Sequence, residues 1–196
     1  MKTANELKKD VKFKADLLGN ALLFNSTWGL FSPRGIDEGS ALLLKHTDFH
    51  DGEQTLDLGC GYGALGVSVA KLCPSGSVHM IDKDYIAVEY ARKNAKQNGV
   101  AKNCEVYLSN GFSEVGKMSE VKFDNIIANL PAKVGRELLY ILLCDAKTHL
   151  KPGGQMVVVI VAGLKDFIKR NFKEVFGNYK KLKQGRAYIV AKAVKE

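Results

Sequence analysis

Apolar positions along the chain follow two periods. Val11-Lys12-Phe13-Lys14-Ala15 alternates residue by residue, as a strand with one buried face does, and Asp16–Gly19 offers a turn before the apolar Ala21-Leu22-Leu23-Phe24. Together they predict a small β-hairpin behind a charged, amphipathic start. Gly29 to Gly39 is broken by Pro33 and Gly35 and reads as loop, and a helix is expected from Gly39 to about His46. Beyond it the pattern becomes regular. Short β-rich runs at Thr55–Leu58, Ser77–Ile81, Glu105–Ser109, Phe123–Ala128 and Gln155–Ala162 are separated, in most cases, by helical segments at Ala64–Leu72, Tyr85–Asn98, Val134–Leu150 and Leu164–Phe176. Parallel strands need crossover connections, so this alternation predicts an α/β fold: a mostly parallel sheet with helices on both faces. The last apolar run, Ala187–Ala193, follows a turn at Gly185 and would complete the sheet at or near an edge.

With 196 residues, the chain suits one domain with a small N-terminal appendage. The expected division is a hairpin and pocket-lining loop over 1–40 and a main domain over 41–196. A composition of 46% hydrophobic and 26% charged residues excludes a disordered chain. No apolar stretch has the length of a membrane span or signal peptide, so a cytoplasmic protein with no membrane partner is expected. Cys60, Cys73, Cys104 and Cys144 are scattered and read as buried free thiols. His46, His50, His79 and His149 have no ligand spacing, so no metal is expected. The net charge of +8 is uneven: Met1–Lys14 carries +3 and Leu164–Glu196 carries +7, which leaves the middle slightly acidic. Basic ends of this kind attract a polyanion, although solubilising lysines have the same composition.

The chemistry points to the end of the first long-fold strand. Asp57-Leu58-Gly59-Cys60-Gly61-Tyr62-Gly63 joins that strand to a helix. Glycine there permits positive φ and lets a ligand approach the backbone closely. Asp82 closes the next strand, where a carboxylate can accept hydrogen bonds from both ribose hydroxyls of an adenosine ligand. Gly61-Tyr62-Gly63-Ala64-Leu65-Gly66 also fits the dinucleotide pattern of a nicotinamide enzyme. That reading needs a second mononucleotide-binding half, whereas the fourth strand here runs into Asn129-Leu130-Pro131, which favours methyl transfer over hydride transfer.

From about Phe13 onward the chain resembles the small-domain class I methyltransferases related to the ribosomal RNA guanine-N2 methyltransferases. The resemblance is carried by Gly29-Leu30-Phe31-Ser32, Ile36-Asp37-Glu38-Gly39-Ser40, Asp57 to Gly63, His79-Met80-Ile81-Asp82, Asn129-Leu130-Pro131, Leu150-Lys151-Pro152-Gly153-Gly154 and Gly185-Arg186-Ala187-Tyr188. It implies a Rossmann-like sheet of seven strands with an antiparallel strand near the C-terminus, S-adenosylmethionine as cofactor, and RNA as partner. By the same resemblance the cofactor would meet Asp57, Gly59, Cys60, Gly61 and Gly63 of the loop. Asp82 and Lys83, Asn110 and Gly111, Phe31 and Asn129 would complete its site. Phe31, Asp37, Ala132, Lys133 and Arg136 would meet the substrate, and Asn129, Leu130 and Pro131 would be catalytic.

Two positions depart from the family pattern. The adenine-contacting aspartate is Asn110, whose amide oxygen can still accept from an exocyclic amine. The catalytic Asn-Pro-Pro-aromatic or Asn-Pro-Pro-Ile tetrapeptide is Asn129-Leu130-Pro131-Ala132. An exocyclic base amine is a poor nucleophile because its lone pair is delocalised into the ring. Acceptors at the Asn129 side chain and the Leu130 carbonyl would pyramidalise it, with Pro131 stiffening the loop. Ala132 provides no stacking face, which Phe31 or Trp28 could supply, while Lys133 and Arg136 could meet phosphates. The expected reaction is guanine-N2 methylation of ribosomal RNA. Guanine-N1 methylation, a small-molecule or protein-amide acceptor, and a non-catalytic RNA-binding relative remain open alternatives.

Overall fold

A computed structural model describes residues 3–4, 9–117, 121–131 and 134–196. Most of the amphipathic start, and Ala132 and Lys133, lie outside the described residues. The hairpin comprises β1 (Val11–Leu17) and β2 (Asn20–Ser26), paired antiparallel about a turn in which Leu18 and Gly19 both have positive φ. Then come α1 (Glu38–Lys45), β3 (Gln54–Leu58), α2 (Ala64–Leu72), β4 (Ser77–Asp82), α3 (Tyr85–Gln97), β5 (Cys104–Leu108), β6 (Phe123–Asn129), α4 (Arg136–His149), β7 (Leu150–Val161), α5 (Lys165–Phe176), β8 (Lys180–Gln184) and β9 (Tyr188–Val194).

The sheet has seven strands in the order β5-β4-β3-β6-β7-β9-β8. Neighbours from β5 to β7 are parallel, and β9 runs antiparallel to both β7 and β8. This is the Rossmann-like sheet of seven strands, parallel but for its C-terminal part, that the resemblance implies. Successive side chains of a strand point to opposite faces, and the apolar runs divide accordingly. Ile127, Val157 and Val159 join one core with the hairpin, α1, α2 and α3, whereas Ile126, Ala128, Met156, Val158 and Ile160 join the other with α4 and α5. Strand segments apolar at consecutive positions are therefore clamped by helices on both sides, and a Leu→Ala truncation within either core should cost about 2–5 kcal/mol.

The structure corrects several expectations. β9 lies near the edge as expected, but outside it stands β8, a strand the sequence pattern did not predict. β8, Lys-Lys-Leu-Lys-Gln, carries one inward apolar side chain, Leu182, and exposed lysines of the kind that discourage edge-to-edge pairing. β7 begins at Leu150, with Phe123 and Leu150 paired before an irregularity in register, so Lys151–Gly154 belongs to the strand. The hairpin residues Leu17, Leu22 and Phe24 share a core with the main sheet. Cys60 and Cys73 are buried, but Cys104 and Cys144 are only partly so, and all four are free. Among the described residues no helix is long and apolar enough to cross a membrane, and no His, Cys, Asp or Glu cluster could hold a metal.

The hairpin is fastened by a buried polar contact. Asn94, on the inner face of α3, accepts from the Asn25 backbone N–H at 2.8 Å and donates to the carbonyls of Asn25 and Tyr62, each at 2.8 Å. Phe13, Phe24 and Tyr62 pack their rings edge-on or tilted around it, 5.7–5.9 Å apart.

Candidate functional site

Chain connections diverge between β3 and β6: from β3 the chain proceeds to β4 and β5 on one side, whereas β6 leads to β7 on the other. Ligands of open α/β sheets bind beyond the strand ends at such a point. A cavity of about 450 Å³ lies there, bordered by the Leu58–Tyr62 loop, Asp82, Asn110, Asn129–Pro131 and, from α4, Leu138 and Leu142. This volume suits a small-molecule ligand.

The glycine loop is shaped by local necessity. Gly59, Gly61 and Gly63 have φ of +74°, +55° and +88°. The N–H groups of Gly59 and Cys60 both donate to the Ile81 carbonyl at 2.9 Å, which ties the loop to the end of β4. A Cβ at Gly63 would lie 3.3 Å from Ala91 and Met80, so this glycine also lets α2 approach α3 and β4. At Gly59 and Gly61 the space is open. Tyr62 turns its ring into the core and donates its hydroxyl to the Gly35 carbonyl at 3.0 Å, anchoring the loop that carries Phe31.

Two carboxylates flank this loop in opposite settings. Asp82 is partly buried; one oxygen accepts from Gly61 N–H at 2.9 Å and the other from Asp84 N–H at 3.0 Å, leaving lone pairs on both. Asp57 is wholly buried on the cavity wall. Its Oδ2 accepts from Gly66 N–H at 2.8 Å, while Oδ1 has no protein partner. Burial, reinforced by the charge of Asp82, raises the Asp57 carboxyl to about 7 despite the Gly66 hydrogen bond. Cys60 also lines the cavity, and burial pushes its thiol well up, so it stays protonated.

On the opposite wall, Asn129 ends β6 with its amide held. Its Nδ2 donates to Asp37 Oδ2 at 2.9 Å and to Ser40 Oγ at 3.0 Å. An ionised carboxylate can only accept, so the amide nitrogen is the end that faces Asp37, and the oxygen takes no part in this contact. Asp37 is the N-cap of α1: Oδ2 also takes Ser40 N–H at 3.1 Å, and Oδ1 takes the Tyr188 hydroxyl at 3.1 Å. Leu130 is buried, its N–H donating to Val159 at 3.0 Å, and Pro131 is exposed at the cavity rim.

Most residues expected from the sequence thus meet at one cavity, among them Lys83, Asn110, Gly111, Phe31 and Asp37. Gly63 stands just behind the lining. Phe31 is 64% exposed on the wall, whereas Trp28 is exposed away from it. Arg136 does not line the cavity; its guanidinium lies 5.9 Å from the Phe167 ring centre, with Arg170 equally near that ring. Sequence reasoning assigned no role to Ser40 or Tyr188, although both stand within the stretches that carried the resemblance. Asn94 gave no signal, because a mid-helix asparagine reads as solvated.

Comparison with known proteins shows the family and the fold. The family described as methyltransferase small domain matches residues 21–192. Protein YbxB of Bacillus subtilis is 34% identical over 175 residues, covering 88% of this chain and 85% of that protein. Ribosomal RNA small subunit methyltransferase C of Cronobacter sakazakii is 34% identical over 197 residues, covering 96% of this chain and 55% of the relative. Among solved structures, the T. thermophilus 16S rRNA N2 G1207 methyltransferase in complex with AdoMet and guanosine superposes with a TM-score of 0.85 at 29% identity, covering 94% of this chain and 50% of the other. The chain thus spans about half the length of these ribosomal RNA methyltransferases.

Proposed function

Because the chain belongs to the methyltransferase small domain family, we propose that it transfers the methyl group of S-adenosylmethionine to the exocyclic N2 of guanine in ribosomal RNA, in the cytoplasm. The observation that carries this reading is the fixed amide of Asn129 on the cavity wall: Asp37 holds its nitrogen at 2.9 Å, which would leave its oxygen to accept from a substrate amine.

The residues fit the cofactor. Asp82 has a lone pair on each oxygen for two ribose hydroxyls, the open space at Gly59 and Gly61 admits a ligand against the backbone, and the unpartnered Asp57 Oδ1 awaits a donor or a positive charge. Asn110 and Lys83, which also line the cavity, would meet the adenosine end. When bound, S-adenosylmethionine supplies an electrophilic methyl on a sulfonium that is its own leaving group.

The remaining chemistry belongs to the chain. Asn129 Oδ1 and the Leu130 carbonyl would accept the two N–H bonds of the amine, localising its lone pair and aiming it. No strong base is needed, because the proton becomes acidic only as the new C–N bond forms. Pro131 restricts the backbone after Leu130, and Phe31 offers a ring to a base taken out of its stack. The basic C-terminal segment would hold the phosphate backbone, which deposits the base near the cavity.

Incubation with methyl-labelled S-adenosylmethionine and RNA transcribed without modification tests the reading. Label in RNA is expected. Label only in protein or a small molecule would refute it, and RNA binding without affinity for the cofactor would mark a non-catalytic relative.

A further inference from the structure

Tyr188, at the start of β9, takes no part in lining the cavity, yet it touches the group that fixes Asn129. Its hydroxyl donates to Asp37 Oδ1 at 3.1 Å, and the other oxygen of the same carboxylate receives Asn129 Nδ2 at 2.9 Å. We propose that Tyr188 is a positioning residue for methyl transfer: it locks the Asp37 carboxylate in the rotamer that turns the Asn129 oxygen into the cavity. This rests on the functional reading of Asn129 given above.

Three elements meet in the contact. Asp37 precedes α1, Asn129 ends β6, and Tyr188 faces Val161 across the antiparallel pair β7–β9. A carboxylate that bonded only the α1 N-terminus and Asn129 could still swing about its χ angles. A third donor, on the oxygen those two leave free, removes that freedom. Burial, and then the nearby Asp37 charge, raise the Tyr188 hydroxyl above its ordinary range, so it stays a donor at neutral pH. The fold also makes room for the contact: a Cβ at Gly39 would lie 2.8 Å from Asp37 Oδ2 and 3.0 Å from the Tyr188 ring. Glycine in the first turn of a helix is otherwise a poor choice, and here it clears the space the tyrosine and carboxylate share.

Tyr188→Phe keeps the ring and deletes the donor. We expect kcat to fall by about tenfold or more, with KM for RNA and the cofactor dissociation constant within about twofold of wild type. Hydrogen exchange of the Asn129 side-chain amide, followed by NMR in the full chain without ligand, should quicken by about tenfold. Gly39→Ala, whose Cβ would displace the Asp37 carboxylate and the Tyr188 ring, should reproduce both effects. Unchanged exchange, unchanged kcat, or a loss that resides wholly in KM or cofactor affinity would overturn the proposal. If wild type methylates no RNA, the functional reading fails, and the exchange comparison alone then decides whether Tyr188 holds Asn129.

Discussion

At the residue scale, the site is a division of labour among carboxylates and one amide. On the proposed reading Asp82 would bind the cofactor and Asn129 would act on the acceptor, so their variants should fail differently. Asn129→Ala should lower turnover by about 10²-fold or more, the loss of a preorganised acceptor, with cofactor affinity retained in calorimetry. Asp82→Ala should weaken cofactor binding by about tenfold or more, since it removes acceptors for two hydroxyls and the anchor for Gly61 N–H. Equal loss of binding in both would contradict the division.

Asp57 makes a prediction about pH. Its folded carboxyl lies near 7 against an ordinary 3.8, so the folded state binds more protons than the unfolded chain between these values. Its contribution is complete below pH 3.8 and is lost as pH rises to about 7. Asp57→Asn should therefore gain stability relative to wild type across that window and show no further change above it, as measured by denaturant unfolding at several pH values. The place of Asp82 at the cavity was legible because a carboxylate closing the strand after a glycine turn stands at the strand ends, where ligands of such sheets bind. The Asp37–Asn129 and Asp37–Tyr188 bonds were not, because they join positions 92 and 151 residues apart and no local pattern marks them.

At the scale of elements, strands buried on both faces were easy to read, since short runs such as Ile126–Ala128 and Met156–Val161 are apolar at consecutive positions. β8 was invisible for the opposite reason: an edge strand defended by lysines has the composition of a loop. Asn94 was hidden likewise, a polar side chain spent on the backbone of β2. Asn94→Ala would leave buried carbonyls at Asn25 and Tyr62 without their donor, and about 1–3 kcal/mol is expected for each group stranded. The expected outcome is a loss of about 2 kcal/mol or more in urea unfolding. Cofactor binding should also weaken, because Tyr62 holds the Gly35 turn of the loop bearing Phe31. A neutral Asn94→Ala would mean that the hairpin is held by its apolar face alone.

At the scale of the whole molecule, charge and topology act together. The ends of β3 and β6 create the cavity, while Leu164–Glu196 carries +7 beyond it. If that segment meets a phosphate backbone, RNA affinity should drop by on the order of tenfold between about 50 and about 200 mM salt, as expected for roughly three phosphate contacts on a single strand. A small-molecule acceptor would bring no such dependence.

The most direct measurement is mass spectrometry of nucleosides digested from RNA that the purified protein has methylated. Asn129 and Leu130 as paired acceptors predict N2-methylguanosine, absent with Asn129→Ala. A product of 1-methylguanosine, or a methylated nucleoside other than guanosine, would contradict the account of how these acceptors choose their target.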